Sequence, residues 1–288
     1  MRRFGVISFF IISLSVACQP TTTETSSSSI TDLETAYSSQ PTEENLAALI
    51  AAYKADTTGQ YLLSAAHLEL EHDQFEEGIS TLKMLLKKQL TPEHVLDLAT
   101  AYEDQQRLTI AAIVHKAYLA AFPQDAQNQA VKQRLLGDAV SLESQMKSLF
   151  KGTYIDSLSR MDTRVAKQYI ASSEAYALIL PDSDSAVIHL RQAAETANSL
   201  GDFETALHLQ DWIMESYPNT ADAQMALFMS AFLYENQLGN IEEARKRYEK
   251  FLQFYPQSDF ADDAKISLKY LGEDPSSVLD KIQNNSSQ

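Results

Sequence analysis

The side chains able to do chemistry in this sequence are few, scattered and short of partners. Histidines stand at His67, His72, His94, His115, His189 and His208. His67 and His72 are close to helical neighbours, a spacing a metal could use, but no third ligand accompanies them. Asp182-Ser183-Asp184 has the acidic start of a calcium loop. Its sixth position lacks glycine, however, and Ala193 stands where the closing glutamate belongs. The tripeptide therefore reads as the N-cap of a helix. There is no P-loop, GxGxxG, GxSxG or HExxH pattern. Arg245, Lys246, Arg247 and Lys250 form a basic run, but Glu242, Glu243 and Glu249 interleave with it, which marks a solvated helix face. Trp212, amid Leu207, Ile213 and Met214, reads as core rather than as a platform for sugars. The chain is expected to be no enzyme and to use no cofactor and no metal.

What holds these residues must be helical. Glycine and proline number only 8 each, too few for the turns of an all-β fold, while helix formers abound. The formal net charge is −16. Such a surface repels phosphate backbones, so nucleic acid is not an expected partner. Cys18 is the only cysteine, which excludes a disulfide and a thiolate metal site elsewhere in the chain.

The N-terminus reads as an export signal. Arg2 and Arg3 precede an apolar run from Phe4 to Leu14, too short for a comfortable membrane span. Leu14-Ser15-Val16-Ala17-Cys18 resembles a bacterial lipobox, although Ser15 stands where leucine is usual. That resemblance implies lipidation at Cys18 after cleavage; the alternative is an ordinary secretory signal ending near Ala17. Several acyl chains would anchor the protein stably. Gln19 after the cysteine, by the same resemblance, implies the outer membrane of a diderm bacterium, on its periplasmic face. Residues 19–30 are rich in serine and threonine and are expected to be a disordered tether, spanning at most ~40 Å.

Beyond the tether the sequence repeats. Thr31-x-x-Glu34 and Thr42 are helix-start signals, and Leu46, Leu49, Ile50 and Tyr53 make one apolar stripe. Val95, Leu98, Ala99, Tyr102, Leu108, Ala111 and Pro123 then occupy positions 4, 7, 8, 11, 17, 20 and 32 of a 34-residue unit. Leu62, Ala65, Ala66, Phe75 and Gly78 fit the unit before it, with Glu69 in place of the aromatic at position 11. In the C-terminal half Gly201 and Gly239, Ala206 and Ala244, and Tyr217-Pro218 and Tyr255-Pro256 align at an offset of 38 residues. These patterns resemble the tetratricopeptide repeat (TPR). The resemblance implies an all-α fold of helix-turn-helix repeats wound into a right-handed superhelical solenoid. The expected layout is N-terminal repeats over 31–124, an irregular helical connector over 125–160 and C-terminal repeats over 161–272. Within the last, a capping helix opens at Ser258-Asp259-Phe260-Ala261 and stops at Gly272; a short helix from Asp274-Pro275 and a tail complete the chain. Leu135, Leu142 and Leu149 fall seven apart, which fits either a coiled-coil seam or ordinary repeat packing.

Residues 183–272 further resemble the TPR lipoproteins of the outer membrane, such as the BamD-like assembly lipoproteins. Tyr217-Pro218-Asn219, Ala226-Leu227-Phe228, Gly239 to Ala244, Tyr248, Phe251-Leu252, Tyr255-Pro256 and Leu271-Gly272 carry the likeness. It implies a non-enzymatic scaffold whose partners are other envelope proteins, held along first helices at positions 2, 5, 9, 12 and 13. In the third unit these include Ile188, Arg191, Glu195, Asn198 and Ser199. In the fourth they are Met225, Phe228, Phe232, Glu235 and Asn236. The helix carrying the latter is apolar nearly all round, so either its neighbours bury it or Phe228 and Phe232 form an apolar dock. Other functions compatible with the pattern are a surface lipoprotein binding glycans or solutes, and a self-associating structural array.

Overall fold

The computed structural model describes residues 29–155 and 160–273. The lipobox with Cys18, residues 19–28 of the tether and the helix expected from Asp274 lie outside the described residues. The chain divides into two compact units, Met1–Leu49 and Ile50–Gln288, the division falling inside α2 (Glu43–Ala55).

In the first unit, α1 (Ile30–Ser39) begins with a capping box. Asp32 N–H donates to Ser29 Oγ and Ser29 N–H donates to Asp32 Oδ2, each at 3.2 Å. The sequence placed this start at Thr31-x-x-Glu34; the same exchange is made two residues earlier, so Ile30 is inside the helix. Thr42 does open α2, its hydroxyl accepting from Asn45 N–H at 3.2 Å. Asn45 in turn donates to Gln40 O at 2.8 Å and fixes the corner between the helices.

The second unit is a run of helical hairpins. Its members are α3 (Leu62–Glu71), α4 (Phe75–Lys88), α5 (Pro92–Asp104), α6 (Leu108–Ala121), α7 (Asn128–Arg134), α8 (Leu142–Lys151), α9 (Thr163–Ile179), α10 (Asp184–Ser199), α11 (Phe203–Ser216), α12 (Ala221–Asn236), α13 (Ile241–Phe254) and α14 (Ala261–Tyr270). From α3 to α6 and again from α9 to α14, each helix packs on the next. The small residues at the close-approach positions, Ala66, Ala99, Ala206 and Ala244, are fully buried. One apolar core runs from Leu62 to Leu233, and a second joins α12 to α13 and α14 through Leu227, Ala244, Tyr248 and Phe251.

The hairpin turns are built alike. Gln74 N–H reaches back to Glu69 O at 2.8 Å, Arg107 N–H to Tyr102 O at 2.9 Å and Asp202 N–H to Ala197 O at 2.9 Å. In the fourth turn Asn240 N–H reaches Tyr234 O at 2.8 Å, one residue further back, which absorbs the extra residue before Gly239. Each Tyr-Pro pair also has a mechanical role. The Tyr217 hydroxyl donates to Pro181 O, and the Tyr255 hydroxyl donates to Pro218 O, both at 3.0 Å. Each hairpin is thereby stapled to the stop of the one before.

Between the two runs, Leu135 caps α7 while Leu136 and Gly137 take left-handed φ values of 50° and 75°. No single helix holds Leu135, Leu142 and Leu149, so their spacing is not a coiled-coil seam. Instead α8 packs on α6 and α9. The buried Lys116 pins the intervening loop, its Nζ donating to Asp138 Oδ2 (2.7 Å), Val140 O (2.6 Å) and Gln145 Oε1 (2.6 Å). This partner holds the Asp138 carboxyl below its ordinary pKa. A two-residue hairpin, β1 (Tyr154–Ile155) against β2 (Arg160–Met161), is antiparallel and leads into α9. Around most of its circumference α9 is buried, and it touches α4, α6, α8 and α10. Its Ala166, Ala171, Ser172, Ser173, Ala175 and Ala177 are small enough for so many neighbours to approach.

Candidate partner-binding face

α10 and α12 both pack on α11 and touch each other. Arg191 ties them: its Nε donates to Asp222 Oδ1 at 2.6 Å and its Nη1 to Glu195 Oε1 at 2.8 Å. Burial opposes the Arg191 charge, but Glu195 and Asp222 outweigh it and hold the guanidinium above its ordinary pKa. Beside this ion pair is a cleft of about 90 Å³. Arg191, Ala194, Glu195 and Asn198 form one wall, Met225, Ala226 and Met229 the other, and Gln210 and Ile213 of α11 the floor. The structure thus gathers Arg191, Glu195, Asn198 and Met225 from the sequence candidates. Ile188, 40 % exposed one turn before Arg191, and Phe232, 42 % exposed one turn past Met229, flank the cleft.

Phe228 and Glu235 do not share this face. A helix advances about 100° per residue, so both are rotated roughly 60–80° from Met225, towards α13. The Phe228 ring stacks on Phe260 at 5.2 Å and meets Tyr248 and Phe251 edge-on at 5.8 and 5.7 Å. Glu235 accepts from the Tyr248 hydroxyl at 2.9 Å. Phe228 is thus half-buried against α13 and the start of α14 and does not face the cleft, whereas Phe232 is exposed beside it.

Gln210 escaped the sequence reading. It is 6 % exposed, and its Oε1 has no hydrogen-bond partner. The available signal was a polar residue four after Ala206 and three before Ile213, in an otherwise apolar stripe.

Other titratable groups are matched among themselves. A second cleft, of about 240 Å³, opens between α4, α9 and α11. There Lys83 Nζ pairs with Glu174 Oε2 at 2.6 Å and His208 Nδ1 is 4.0 Å from Glu174 Oε1. Lys87 Nζ sits 4.2 Å over the Trp212 ring, so the tryptophan is covered, as core placement requires. Burial pushes the Lys87 amine down. Ion pairs of this kind hold helices together and offer no nucleophile with a free base beside it. His115, 3 % exposed, faces Glu103 at 2.9 Å, and Glu103 also takes Arg134 at 2.6 Å. His189 meets Tyr169 at 3.2 Å, and burial pushes its imidazole down against the upward pull of Glu143. Ser183 caps α10, accepting from Ser185 N–H at 3.3 Å. Arg247 leaves the solvated basic run: it grips Asp211 with two bonds of 2.7 and 3.2 Å and lies 4.9 Å over Tyr234. Among the described residues no three His, Cys, Asp or Glu side chains are grouped to hold a metal ion. No described helix is long and apolar enough to cross a membrane.

The hairpin of α12 and α13 carries a match to a known family. Residues 225–258 match the tetratricopeptide repeat family. The matched stretch begins at Met225 on the cleft wall and ends just past the Tyr255 staple. No curated protein matches the chain. The tetratricopeptide repeat is typically a non-catalytic module for protein–protein contact. A face of small cleft, paired rim charges and flanking apolar side chains suits that use, since such surfaces bind by burial and hydrogen bonding rather than by bond-making.

Proposed function

We propose that the chain is a scaffold lipoprotein of the bacterial cell envelope, related in role to the BamD-like proteins. In this reading it is anchored through acylated Cys18 to the outer membrane, and it holds envelope proteins against α10 and α12 on the periplasmic side. The observation that supports the docking surface is the cleft over Gln210 with Ile188 and Phe232 exposed on either side. The lipobox likeness at Leu14 to Cys18 supports the anchor.

A photo-crosslinking side chain placed at Asn198 or at Phe232 in intact cells tests the surface, with Lys265 on α14, 60 % exposed, as the control site. A discrete partner protein captured from Asn198 and Phe232 but not from Lys265 is the expected result. Capture of nothing but further copies of the chain would replace the scaffold by a self-associating array. Fatty-acid labelling that persists in Cys18→Ser would remove the anchor.

A further inference from the structure

An apolar side chain held in water at a loop tip gains by moving into a lipid interface. Leu136 is the most exposed large hydrophobic side chain among the described residues, at 93 %, and Val140 of the same loop is 51 % exposed. The loop is fixed in this form. Leu136 and Gly137 hold left-handed φ values, and Lys116 of α6 grips Asp138 Oδ2, Val140 O and Gln145 Oε1. Leu135, Val140 and Leu142 with Leu119 of α6 line an open recess of about 340 Å³, and Lys132 lines it too. Charge also sets this segment apart. From the start of α7 to the end of α8 there are four basic and two acidic side chains, in a chain of net charge −16. Both carboxylates are taken, Asp138 by Lys116 and Glu143 by the Tyr176 hydroxyl. Arg134 is held by Glu103. Lys132, Lys147 and Lys151 are exposed and, among the described residues, have no ion pair.

We infer that the loop between α7 and α8 is a membrane-contact surface, with Leu136 and Val140 entering the lipid interface and the lysines beside them facing anionic headgroups. The inference rests on the anchored reading and adds which side of the anchored chain meets the bilayer. A lipid surface fits these residues better than a protein partner does. A protein hot spot is typically an aromatic or arginine anchor in a pocket sealed from water. Here two aliphatic side chains protrude beside an open recess, and the unpaired cations are lysines. Lysine carries its charge on a flexible apolar stem, so the ammonium reaches a headgroup while the stem lies against lipid. Each such cation near an anionic bilayer strengthens attachment about five-fold. The acidic remainder of the surface is repelled by the same headgroups, which orients the chain. Two aliphatic side chains alone bind weakly and reversibly, so the contact positions a chain that its acyl anchor retains.

The test uses the full chain as processed by the cell, carrying Leu136→Trp and reconstituted with vesicles of brominated phosphatidylcholine, with or without phosphatidylglycerol. Bromine on the acyl chains quenches an indole only at close approach. The controls are the unaltered chain, whose Trp212 is covered by Lys87, and Phe254→Trp, at a position 61 % exposed on α13. Leu136→Trp is expected to be quenched when phosphatidylglycerol is present, and the controls are not. Adding Lys132→Glu and Lys147→Glu, both at exposed positions, should return Leu136→Trp to the level of the controls. The membrane surface is overturned if Leu136→Trp is quenched no more than Phe254→Trp, or if its quenching survives the two charge reversals. An unquenched Leu136→Trp, with a discrete protein photo-crosslinked from position 136, would give the loop to a protein partner instead. Absence of quenching in a chain still acylated at Cys18 removes the membrane surface and leaves the anchor. Quenching in a chain without acylation leaves the membrane surface and removes the anchor.

Discussion

The hairpins α3–α6 and α10–α13 share one geometry and reach it with different residues. In both regions the turn hydrogen bond returns to the end of the first helix, and the chain passes through a left-handed residue. The C-terminal hairpins place Gly201 and Gly239 there, whereas the N-terminal ones place Asp73 (φ 61°) and Gln106 (φ 55°). The C-terminal stops are stapled by Tyr217 and Tyr255; the corresponding Phe122 has no hydroxyl to donate. At position 11 the second hairpin buries Tyr102, while the first buries Glu69, which takes Lys54 at 2.9 Å and the Thr81 hydroxyl at 2.5 Å. Backbone path and small-residue contacts define the repeat, and position 11 accepts a carboxylate because Lys54 and Thr81 partner it.

Removing the buried carboxylate should give the largest effect. Glu69→Ala strands Lys54 and Thr81 and is expected to cost ~2–4 kcal/mol in denaturant unfolding. Glu69→Leu combined with Thr81→Val should recover most of that loss, because the buried hydroxyl goes with the carboxylate and Lys54, 32 % exposed, is left to solvent. Next in size are Ala206→Leu and Ala244→Leu, each expected to cost ~1–3 kcal/mol through overpacking. Unchanged melting curves would refute the close helix contact at both sites. Tyr217→Phe removes only the staple and should cost ~0.5–1.5 kcal/mol, a loss read as a lower melting temperature. The smallest effect separates the two turn types: Gln106→Gly should stabilise by up to ~1 kcal/mol, since glycine adopts a positive φ without steric cost. A destabilised Gln106→Gly would mean that the N-terminal turns depend on their side chains.

The sequence showed most of the repeat framework because the framework is local. Val95, Leu98, Ala99 and Tyr102, placed by spacing alone, are all fully buried. Ala206, Ala244 and both Tyr-Pro stops stand where the 38-residue offset put them. The site was half legible for the same reason: helical periodicity brings Arg191, Glu195, Asn198 and Met225 to one face but cannot turn Phe228 towards α13. That orientation depends on Phe260, the residue just before α14. Gln210 was hidden because its meaning lies in α10 and α12, not in its own helix. The contacts of α9 with α4 and α6, and the grip of Lys116 on a loop more than twenty residues away, join distant segments and leave no periodic trace.

The Tyr-Pro staple bears on how such a chain can change in length. Tyr217 reaches back to the carbonyl of Pro181, and Pro218 presents the carbonyl that Tyr255 takes. Each block of 38 residues thus contains both halves of its own joint, one facing backward and one forward. Duplication of such a block would deliver a fitted connection at each end without any new mutation. The contacts of α9 exist in a single copy, with nothing before or after them to match. Growth by gene duplication is therefore open towards the C-terminal end and closed at α9.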